Sequence, residues 1–367
     1  MKIFISTADR SGDFHGALLA AALKKENPQV DLCGVGGELM AKEGVRILVN
    51  PVSRAVIGFF EVLRSLPDWK KFLQSAVAGA IQEQPDRIVL IDSPGFNFRL
   101  ARRLKSEKFH FVYYISPQVW AWGKERVSEI ASFCKKVIVI FPFEKEIYQK
   151  ADVPSIFVGH PFLDVVKPTL NRTEACRFFG LSPGRPVLLL LPGSRHSEVK
   201  SLFPLMSEVS QRLAQRYPVQ VVAYSASTEI AQYLSAVKGV QIIDGGDKYS
   251  LFSLADCALA ASGSVTLELT LLSVPFVLLY RLSAATYLFL RPRVHVPYAG
   301  ITNILAGKEI VPEFIQYRCR SGLILQEVGS ILKDENRREL MKKNMEQVKA
   351  LLGEPGAPLR AAQEILN

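Results

Sequence analysis

The sequence predicts an α/β fold of two domains, each a parallel β-sheet covered by helices. The length of 367 residues exceeds what one hydrophobic core usually supports. Short apolar runs alternate with longer stretches of helical periodicity, which is typical of parallel sheets with helical crossovers. The segment from Gly159 to Pro168 separates two such series and marks the predicted domain boundary.

The apolar runs define the predicted strands in chain order. In the first half they are Lys2–Ser6, Gln29–Val35, Arg87–Ile91, Phe111–Ile115, Val137–Phe141 and Ser155–Val158. In the second half they are Val187–Leu191, Val219–Tyr224, Val240–Ile243, Cys257–Ala260 and Phe276–Tyr280. Asn171 and Thr173 are candidate helix caps after the boundary, and a final helix is expected near Asn336–Leu352. The predicted domains are therefore 1–165 and 166–335, with 336–367 as a C-terminal helical segment.

Composition limits the class of protein. The five cysteines form no CxxC pair, which indicates free thiols in a reducing cytoplasm. The N-terminus does not resemble a signal peptide, and the most apolar stretch, Leu269–Leu290, is interrupted by Pro275 and Arg281. The formal charge of +10 favours an anionic partner, such as a phosphorylated substrate or an acidic lipid surface. Nucleic acid is the least supported partner because no RNA-binding signature accompanies the scattered basic residues.

A predicted phosphate site follows the strand Val187–Leu191. The turn after this strand has a glycine that allows close backbone approach and an arginine that suits bidentate phosphate binding. Its residues are Gly193, Ser194, Arg195 and, one turn on, Glu198. A plain β–α turn with a solvated arginine is the alternative interpretation.

A second turn of this kind follows the strand Cys257–Ala260 and opens a helix. A helix N-terminus offers unpaired N–H groups and a positive dipole end to a diphosphate. The predicted nucleotide-binding residues here are Ser262, Gly263, Ser264, Thr266 and Glu268, the last of which is placed to accept hydrogen bonds from ribose hydroxyls. The alternative is that Ser264 only caps the helix and Glu268 only complements its dipole. Two such turns at neighbouring strand ends favour nucleotide-diphosphate binding.

The first half provides a candidate general base. Asp92 follows the strand Arg87–Ile91 directly, where a carboxylate suits proton removal from an acceptor hydroxyl. An Asx-turn before Pro94 is the alternative, and Asp13 and Asp9 compete for the same role. The sequence has no D-x-D motif and its five histidines are separated, so no metal site is expected.

A dehydrogenase is a weaker interpretation. Gly34-Val35-Gly36-Gly37 follows a strand, but the third glycine position of the dinucleotide fingerprint is Leu39. Close packing of helix against strand at a pyrophosphate is therefore not provided.

An ordered series of motifs across nearly the whole chain resembles the lipid-A-disaccharide synthases, which are inverting glycosyltransferases of GT-B architecture. The Ser116–Trp122 stretch is the most specific of these motifs. The others are Ser11-Gly12-Asp13, Gly34-Val35-Gly36-Gly37, Ile57-Gly58 with Glu61-Val62-Leu63, Asp92-Ser93-Pro94, Phe141-Pro142-Phe143-Glu144, Gly159-His160-Pro161, Leu191-Pro192-Gly193-Ser194-Arg195, Ala261-Ser262-Gly263-Ser264 and Asn303-Ile304-Leu305-Ala306-Gly307.

The resemblance implies two Rossmann-like domains facing across a cleft, and transfer of 2,3-diacylglucosamine from UDP to the 6-hydroxyl of 2,3-diacylglucosamine 1-phosphate. It implies that Asp92 is the base and that Arg195, Glu198, Glu268 and Asn303 belong to the donor or catalytic cleft. It further implies a homodimer, no cofactor, and action at the inner face of the bacterial inner membrane. Two residues depart from the family pattern. Asp9 replaces the usual Glu, which weakens any role in positioning the acceptor, and Gly95 replaces an Asp found in many members.

Two classes of alternative remain at this stage. One is another UDP-sugar enzyme, either a GlcNAc transferase of cell-wall synthesis or a non-hydrolysing 2-epimerase. The other is a non-catalytic protein that binds a nucleotide sugar or a lipid, in which Asp92 would be superfluous.

The segment 54–73 raises the question of membrane contact. Phe59, Phe60 and Trp69 lie among the basic residues Arg54, Arg64, Lys70 and Lys71. This pattern resembles an interfacial helix on anionic lipid, while a core-facing helix is an equally supported interpretation.

Overall fold

The computed structural model describes residues 1–54, 59–121, 125–283, 286–288, 291–293 and 296–367, and for residues 54, 59–66 and 293 it describes the backbone without the side chains. These residues form two compact units. Unit 1 comprises Met1–Asp164 together with Leu352–Asn367, and unit 2 comprises Val165–Leu351. Helices and strands are numbered in chain order below.

Unit 1 is built on a seven-stranded sheet of order β3-β2-β1-β4-β5-β6-β7 in which every pairing is parallel. Its strands are β1 Lys2–Ser6, β2 Asp31–Val35, β3 Arg46–Val49, β4 Arg87–Ile91, β5 Phe111–Tyr114, β6 Cys134–Val139 and β7 Ser155–Phe157. Its helices are α1 Arg10–Glu26, α2 Glu38–Lys42, α3 Phe59–Glu83, α4 Pro94–Leu104, α5 Glu125–Ala131, α6 Pro142–Gln149, α7 Phe162–Val165 and the C-terminal α16 Ala357–Leu366.

Unit 2 is built on a six-stranded parallel sheet of order β10-β9-β8-β11-β12-β13. Its strands are β8 Val187–Leu191, β9 Gln220–Ser225, β10 Gln241–Asp244, β11 Cys257–Ala261, β12 Phe276–Tyr280 and β13 Glu313–Ile315. Its helices are α8 Arg172–Phe179, α9 His196–Ala214, α10 Thr228–Leu234, α11 Lys248–Ser253, α12 Ser264–Leu271, α13 Ile301–Ala306, α14 Ser321–Lys333 and α15 Glu335–Leu351.

Burial explains why the central strands form. All five residues of β8 and of β11 are buried, as expected for strands covered on both faces. Local signals then fix the helix ends. Asn171 and Glu174 form a reciprocal capping box at the start of α8, which ends at Gly180 in the left-handed conformation. The predicted cap Asn171 is thus confirmed, whereas Thr173 lies inside the helix.

Strand register places the predicted site loops side by side. Leu191 of β8 pairs with Ala260 of β11, so the turns that follow these two strands are neighbours in unit 2. In unit 1, Ser6 of β1 pairs with Leu90 of β4, so the segments after β1 and β4 also meet. Both pairs of loops lie at the carboxyl ends of parallel strands, where ligands of open α/β sheets bind.

The structure also differs from the sequence-based expectation. Two strands were not predicted: β3 is short and partly exposed, and β13 has three residues and begins with the buried Glu313. The predicted C-terminal segment 336–367 is divided, since α15 packs in unit 2 and α16 packs on α1 in unit 1. The five cysteines are buried free thiols, as expected.

Candidate active site

Asp92 lies at the carboxyl end of β4 and is held through its backbone. Its N–H donates to the carbonyl of Ile115 (3.1 Å), and its own carbonyl accepts from the Tyr113 hydroxyl (2.7 Å) and from Nδ2 of the buried Asn97 (2.9 Å). Asp92 and Ser93 have φ angles of 41° and 44°, which non-glycine residues adopt rarely and which cluster at functional sites. These contacts fix the backbone of Asp92 and do not use its half-buried carboxylate.

The environment of Asp92 adapts its carboxyl group to proton transfer near neutral pH. Its pKa is raised from 3.8 to about 7, mainly by burial and also by the negative charge of Asp9, while the backbone N–H of Ser93 opposes the shift. A general base works best when its pKa lies near the working pH, because it is then both deprotonated and basic. Asp92 therefore has the proton affinity expected of the predicted base.

Asp9 is the N-cap of α1 and links the segments after β1 and β4. Its Oδ1 accepts from the N–H of Gly12 (2.8 Å), and its Oδ2 accepts from the hydroxyl of Ser93. The same Ser93 oxygen accepts from the N–H of Ala8 (3.0 Å). Asp9 is therefore tied into the loop and acts on Asp92 through its charge.

Asp13, the predicted competitor of Asp92, is buried and accepts hydrogen bonds from the loop that begins α2. Its Oδ1 accepts from the N–H groups of Gly37 (2.7 Å) and Met40 (3.2 Å), and its Oδ2 accepts from the N–H of Leu39 (3.1 Å). An acceptor for three backbone donors at the start of α2 anchors that loop. These contacts give Asp13 a structural role, and its catalytic role stays a prediction.

In unit 2, the turn after β8 is folded around Glu198. The glutamate accepts from the N–H of Ser194 (3.3 Å) and from Nη1 of Arg195 (2.9 Å). Gly193 has a φ of 116°, and a Cβ there would lie 2.5 Å from Oε2 of Glu198, so the turn requires glycine. Glu198 thus shapes the turn, while the Arg195 side chain remains 78% exposed and available to an anion.

The neighbouring turn opens helix α12 without a side-chain cap. Gly263 is its N-cap, and Gly263 and Ser264 are exposed. The hydroxyl of Ser262 donates to the carbonyl of Ala299 (3.2 Å), and that of Thr266 donates to the carbonyl of Gly263 (2.8 Å). Ser264 therefore does not cap the helix, which leaves N–H groups and the positive end of the dipole open at this point.

Glu268 lies in the second turn of α12 and is buried. Its Oε1 accepts from Nζ of Lys248 (2.8 Å) and lies 3.4 Å from the Tyr249 hydroxyl. In the described part of the chain no group donates to Oε2, which is free to accept from a ribose hydroxyl. The sequence did not reveal Lys248, whose only signal was its position after the helix cap Asp247.

Asn303, for which a catalytic role was predicted, lies in a closed network of hydrogen bonds. This residue is fully buried, and its amide donates to the carbonyl of Val311 and to Oε1 of Glu313, both at 2.8 Å. Its Oδ1 accepts from the N–H groups of Ile310 (2.8 Å) and Val311 (3.0 Å). Every hydrogen-bonding position of the side chain is used. Asn303 therefore holds the segment before β13 in place, and its catalytic role stays a prediction.

The Ser116–Trp122 motif is bound by the buried Glu144, a contact that the sequence did not predict. The carboxylate of Glu144 accepts from Nε1 of Trp120 (3.2 Å), from the Ser116 hydroxyl (3.4 Å) and from the N–H of Phe141 (3.1 Å). Burial raises the pKa of Glu144 to about 7, and these hydrogen bonds oppose the shift. Glu144 fixes the loop after β5, and Trp122 lies outside the described residues.

The predicted membrane segment is described only in part. Trp69 is half-buried, with its ring edge-on to Phe96 (6.1 Å between centroids) and to Phe72 (6.3 Å). Residues 54–66, with Phe59 and Phe60, lie outside the described side chains. In the ranges that the structure describes, no helix is long and apolar enough to cross a membrane. In the same ranges, no cluster of His, Cys, Asp or Glu has the arrangement of a metal site.

One family of known proteins matches the chain over nearly its full length. A family model described as lipid-A-disaccharide synthetase matches residues 3–363. The lipid-A-disaccharide synthase of Geobacter sulfurreducens is 38% identical over 372 aligned residues, which cover 100% of this chain and 97% of the relative. That of Coxiella burnetii is 32% identical, with coverage of 100% and 98%.

Solved structures resemble the fold at low sequence identity. The UDP-GlcNAc 2-epimerase of Neisseria meningitidis, bound to UDP-GlcNAc, gives a TM-score of 0.67 at 15% identity and covers 100% of this chain and 98% of its own. The calicheamicin glycosyltransferase CalG4 gives a TM-score of 0.59 at 15% identity, with coverage of 100% and 97%. These similarities identify the fold as GT-B. Together with the full-length match to the family, they show that the chain belongs to the lipid-A-disaccharide synthase family and is a glycosyltransferase of lipid A biosynthesis.

Proposed function

We propose that the chain transfers 2,3-diacylglucosamine from UDP to the 6-hydroxyl of 2,3-diacylglucosamine 1-phosphate, giving the β-1',6-linked disaccharide 1-phosphate and UDP. The observation that carries this proposal is the half-buried Asp92 at the end of β4, whose pKa lies near 7. A binding protein has no need of a carboxylate so adapted. The exposed Arg195 and the uncapped start of α12 provide the corresponding donor site in unit 2.

The proposed reaction is a direct displacement at the anomeric carbon. Asp92 accepts the proton of the acceptor's 6-hydroxyl while the oxygen of that hydroxyl forms the new bond to the anomeric carbon. The bond from that carbon to the β-phosphate oxygen breaks, and its electron pair leaves with UDP. Attack from the face opposite UDP inverts the α-linked donor to a β-linkage. A general base accelerates such a step by about 10²–10⁴-fold, and positioning of the two substrates provides the remainder.

Stabilisation of the departing diphosphate is proposed to come from the protein without a metal ion. The guanidinium of Arg195 can form two parallel hydrogen bonds to phosphate oxygens, and the open N–H groups at the start of α12 add further donors. Oε2 of Glu268 would accept from a ribose hydroxyl. Turnover in EDTA equal to turnover in added magnesium supports this part of the proposal, and loss of turnover in EDTA contradicts it.

We propose in addition that the enzyme works as a peripheral protein on the inner face of the bacterial inner membrane. The support is its formal charge of +10, which attracts an anionic surface, and the acyl chains of its proposed substrates. Sedimentation with anionic but not neutral vesicles tests this location. Light scattering of the purified protein tests the homodimer that the family resemblance implies.

One assay decides between this function and its alternatives. Purified protein is incubated with UDP-diacylglucosamine alone, with the lipid monosaccharide phosphate alone, and with both, and products are identified by mass spectrometry. The proposal requires a disaccharide 1-phosphate only in the third mixture. Release of a free 2-epimerised sugar from a UDP-sugar donor without acceptor indicates an epimerase. Saturable UDP binding without any product indicates a binding protein.

A further inference from the structure

A cavity of about 230 Å³ lies between helices α3 and α4 of unit 1. Its wall is apolar: Leu73 and Phe96 are buried, and the half-buried Trp69 meets Phe96 edge-on. This volume far exceeds the roughly 10–15 Å³ that a single water molecule requires, so the cavity admits a ligand segment of several heavy atoms. That is enough for a segment of one acyl chain and too little for a whole acylated sugar.

Positive charge surrounds the mouth of this cavity. Lys70, Arg99 and Arg103 line it and are exposed, and none of its described lining residues is acidic. Arg99 and Arg103 are four residues apart on α4, a spacing at which like charges repel and weaken a helix. In the described part of the chain none of these three side chains forms an ion pair. An unbalanced cluster beside apolar surface is suited to a ligand that is anionic at one end and apolar at the other.

Arg102, on the same helix, forms an ion pair within the protein. Its guanidinium donates to both carboxylate oxygens of Glu129, at 2.6 and 2.8 Å. Arg99 donates instead to the carbonyl of Gly95 (2.9 Å), which keeps its side chain along the first turn of α4. The charges at the cavity are therefore left for a ligand, while the charge beside them is neutralised within the protein.

The cavity adjoins the proposed base. Gly95 and Phe96, which line it, belong to the first turn of α4, and this helix begins two residues after Asp92. Three peptide steps separate Gly95 from Asp92, so their Cα atoms are no more than about 11 Å apart. A sugar anchored in the cavity by its substituents would thus hold its ring within reach of the Asp92 carboxylate.

We propose that this cavity is the acceptor subsite and that it binds a segment of one acyl chain and the anomeric phosphate of the lipid monosaccharide. The acyl segment packs against Trp69, Leu73 and Phe96, and the phosphate lies among Lys70, Arg99 and Arg103. This inference rests on the proposed function and adds the residues that select a phosphorylated, acylated acceptor. Each buried methylene contributes about fourfold in affinity.

Steady-state kinetics with two acceptors test the subsite. The acceptors are 2,3-diacylglucosamine 1-phosphate and the same lipid without its phosphate, both presented in neutral detergent micelles. The double variant Arg99→Gln, Arg103→Gln should raise the KM for the phosphorylated acceptor at least tenfold. The KM for the dephosphorylated acceptor and the Kd for UDP should change less than twofold. Arg102→Gln is the matched control and should behave as wild type, because its partner is Glu129.

A second variant tests the apolar part. A Cβ at Gly95 would meet no atom within 4 Å, so Gly95→Leu can extend into the cavity without a clash. It should raise the KM for long-chain acceptor at least tenfold, and shortening the acyl chains should remove most of this penalty. An unchanged KM in Gly95→Leu with long-chain acceptor overturns the proposal.

The remaining outcomes are also decisive. Equal effects of the arginine double variant on both acceptors overturn the assignment of the phosphate. Weakened sedimentation with anionic vesicles, combined with wild-type KM in neutral micelles, shows that the cations serve a membrane surface and likewise overturns it. Absence of disaccharide with the wild-type enzyme refutes the proposed function itself, a result that these variants cannot produce.

Discussion

The ammonium nitrogen of Lys248 lies 2.8 Å from Oε1 of Glu268, joining the start of α11 to the second turn of α12. Glu268 is buried, and a buried carboxylate is stable only when it is paired or hydrogen-bonded. The lysine therefore gives the buried carboxylate a partner and restricts its rotation. Oε2 can then accept from a ribose hydroxyl while Oε1 remains bound to the protein.

Lys248→Met should weaken UDP binding although Lys248 is not proposed to touch the nucleotide. We expect a threefold to tenfold rise in the Kd for UDP, because the unpaired Glu268 loses its fixed orientation. Glu268→Ala and Arg195→Ala remove direct contacts and should each cost about 1.5–3 kcal/mol, at least tenfold in affinity. Isothermal titration calorimetry measures all three. Wild-type affinity throughout the set would mean that the nucleotide binds elsewhere.

Asp92→Asn should reduce kcat by about 10²–10⁴-fold while leaving UDP affinity within twofold of wild type. The amide keeps the size of the side chain and removes the basic oxygen, and Asp92 belongs to unit 1 whereas the donor turns belong to unit 2. Rapid quench with the lipid acceptor gives the rate, and calorimetry gives the affinity. A folded variant with normal turnover would rule out Asp92 as the base.

The activity should follow the protonation of Asp92. Because the deprotonated carboxylate is the active form and its pKa is about 7, kcat/KM should fall about tenfold per pH unit below 7 and level off above it. A profile that is flat from pH 5 to 8 would contradict the assignment.

The raised pKa of Asp92 also makes the folded protein less stable as the pH rises. The pKa of Asp92 is higher in the folded chain than its ordinary 3.8, so the folded state holds the proton more tightly. Ionised Asp92 therefore lowers stability as the pH rises from about 4 to 7. Asp92→Asn removes this effect and should raise the Tm more at pH 8 than at pH 5. Calorimetric scans at the two pH values measure the difference.

Asn303→Ala should act on stability before it acts on catalysis. The change leaves the N–H groups of Ile310 and Val311 and the carbonyl of Val311 without partners in a buried region. Each unpaired group costs about 1–3 kcal/mol, so the free energy of unfolding in urea should fall by about 3 kcal/mol or more. The exposed Asn336→Ala is the control and should change it by less than about 0.5 kcal/mol. Normal stability combined with lost turnover would support the catalytic role predicted from the sequence.

Features that depend on neighbours along the chain were predictable. The strands β1, β4, β8 and β12 were predicted with their observed bounds, because each is an apolar run ended by polar or turn residues. Asp92 and the turns at Gly193 and Gly263 were found for the same reason, since each directly follows such a run.

Features that depend on distant pairing were not predictable. Lys248 and Glu268 are 20 residues apart, and nothing local distinguishes this lysine from a solvated one. Asp13 and Asn303 were expected in catalysis because polar residues within or beside family motifs suggest chemistry. Their observed partners, the amides of Gly37 to Met40 and the segment 310–313, become visible only after folding. The cavity beside α4 likewise joins residues of two helices that no sequence spacing connects.

The C-terminal helix α16 determines when unit 1 can be completed during synthesis. It packs on α1 and is tied into unit 1 by Lys136 with Glu364 (2.7 Å) and by Arg360 with the carbonyl of Val158 (2.8 Å). Most of unit 1 precedes unit 2 along the chain, but α16 follows all of unit 2. During synthesis, unit 1 therefore keeps the surface under α16 uncovered until the residues of unit 2 have been added. A chain that stops after residue 351 contains every residue of unit 2 and lacks the last helix of unit 1.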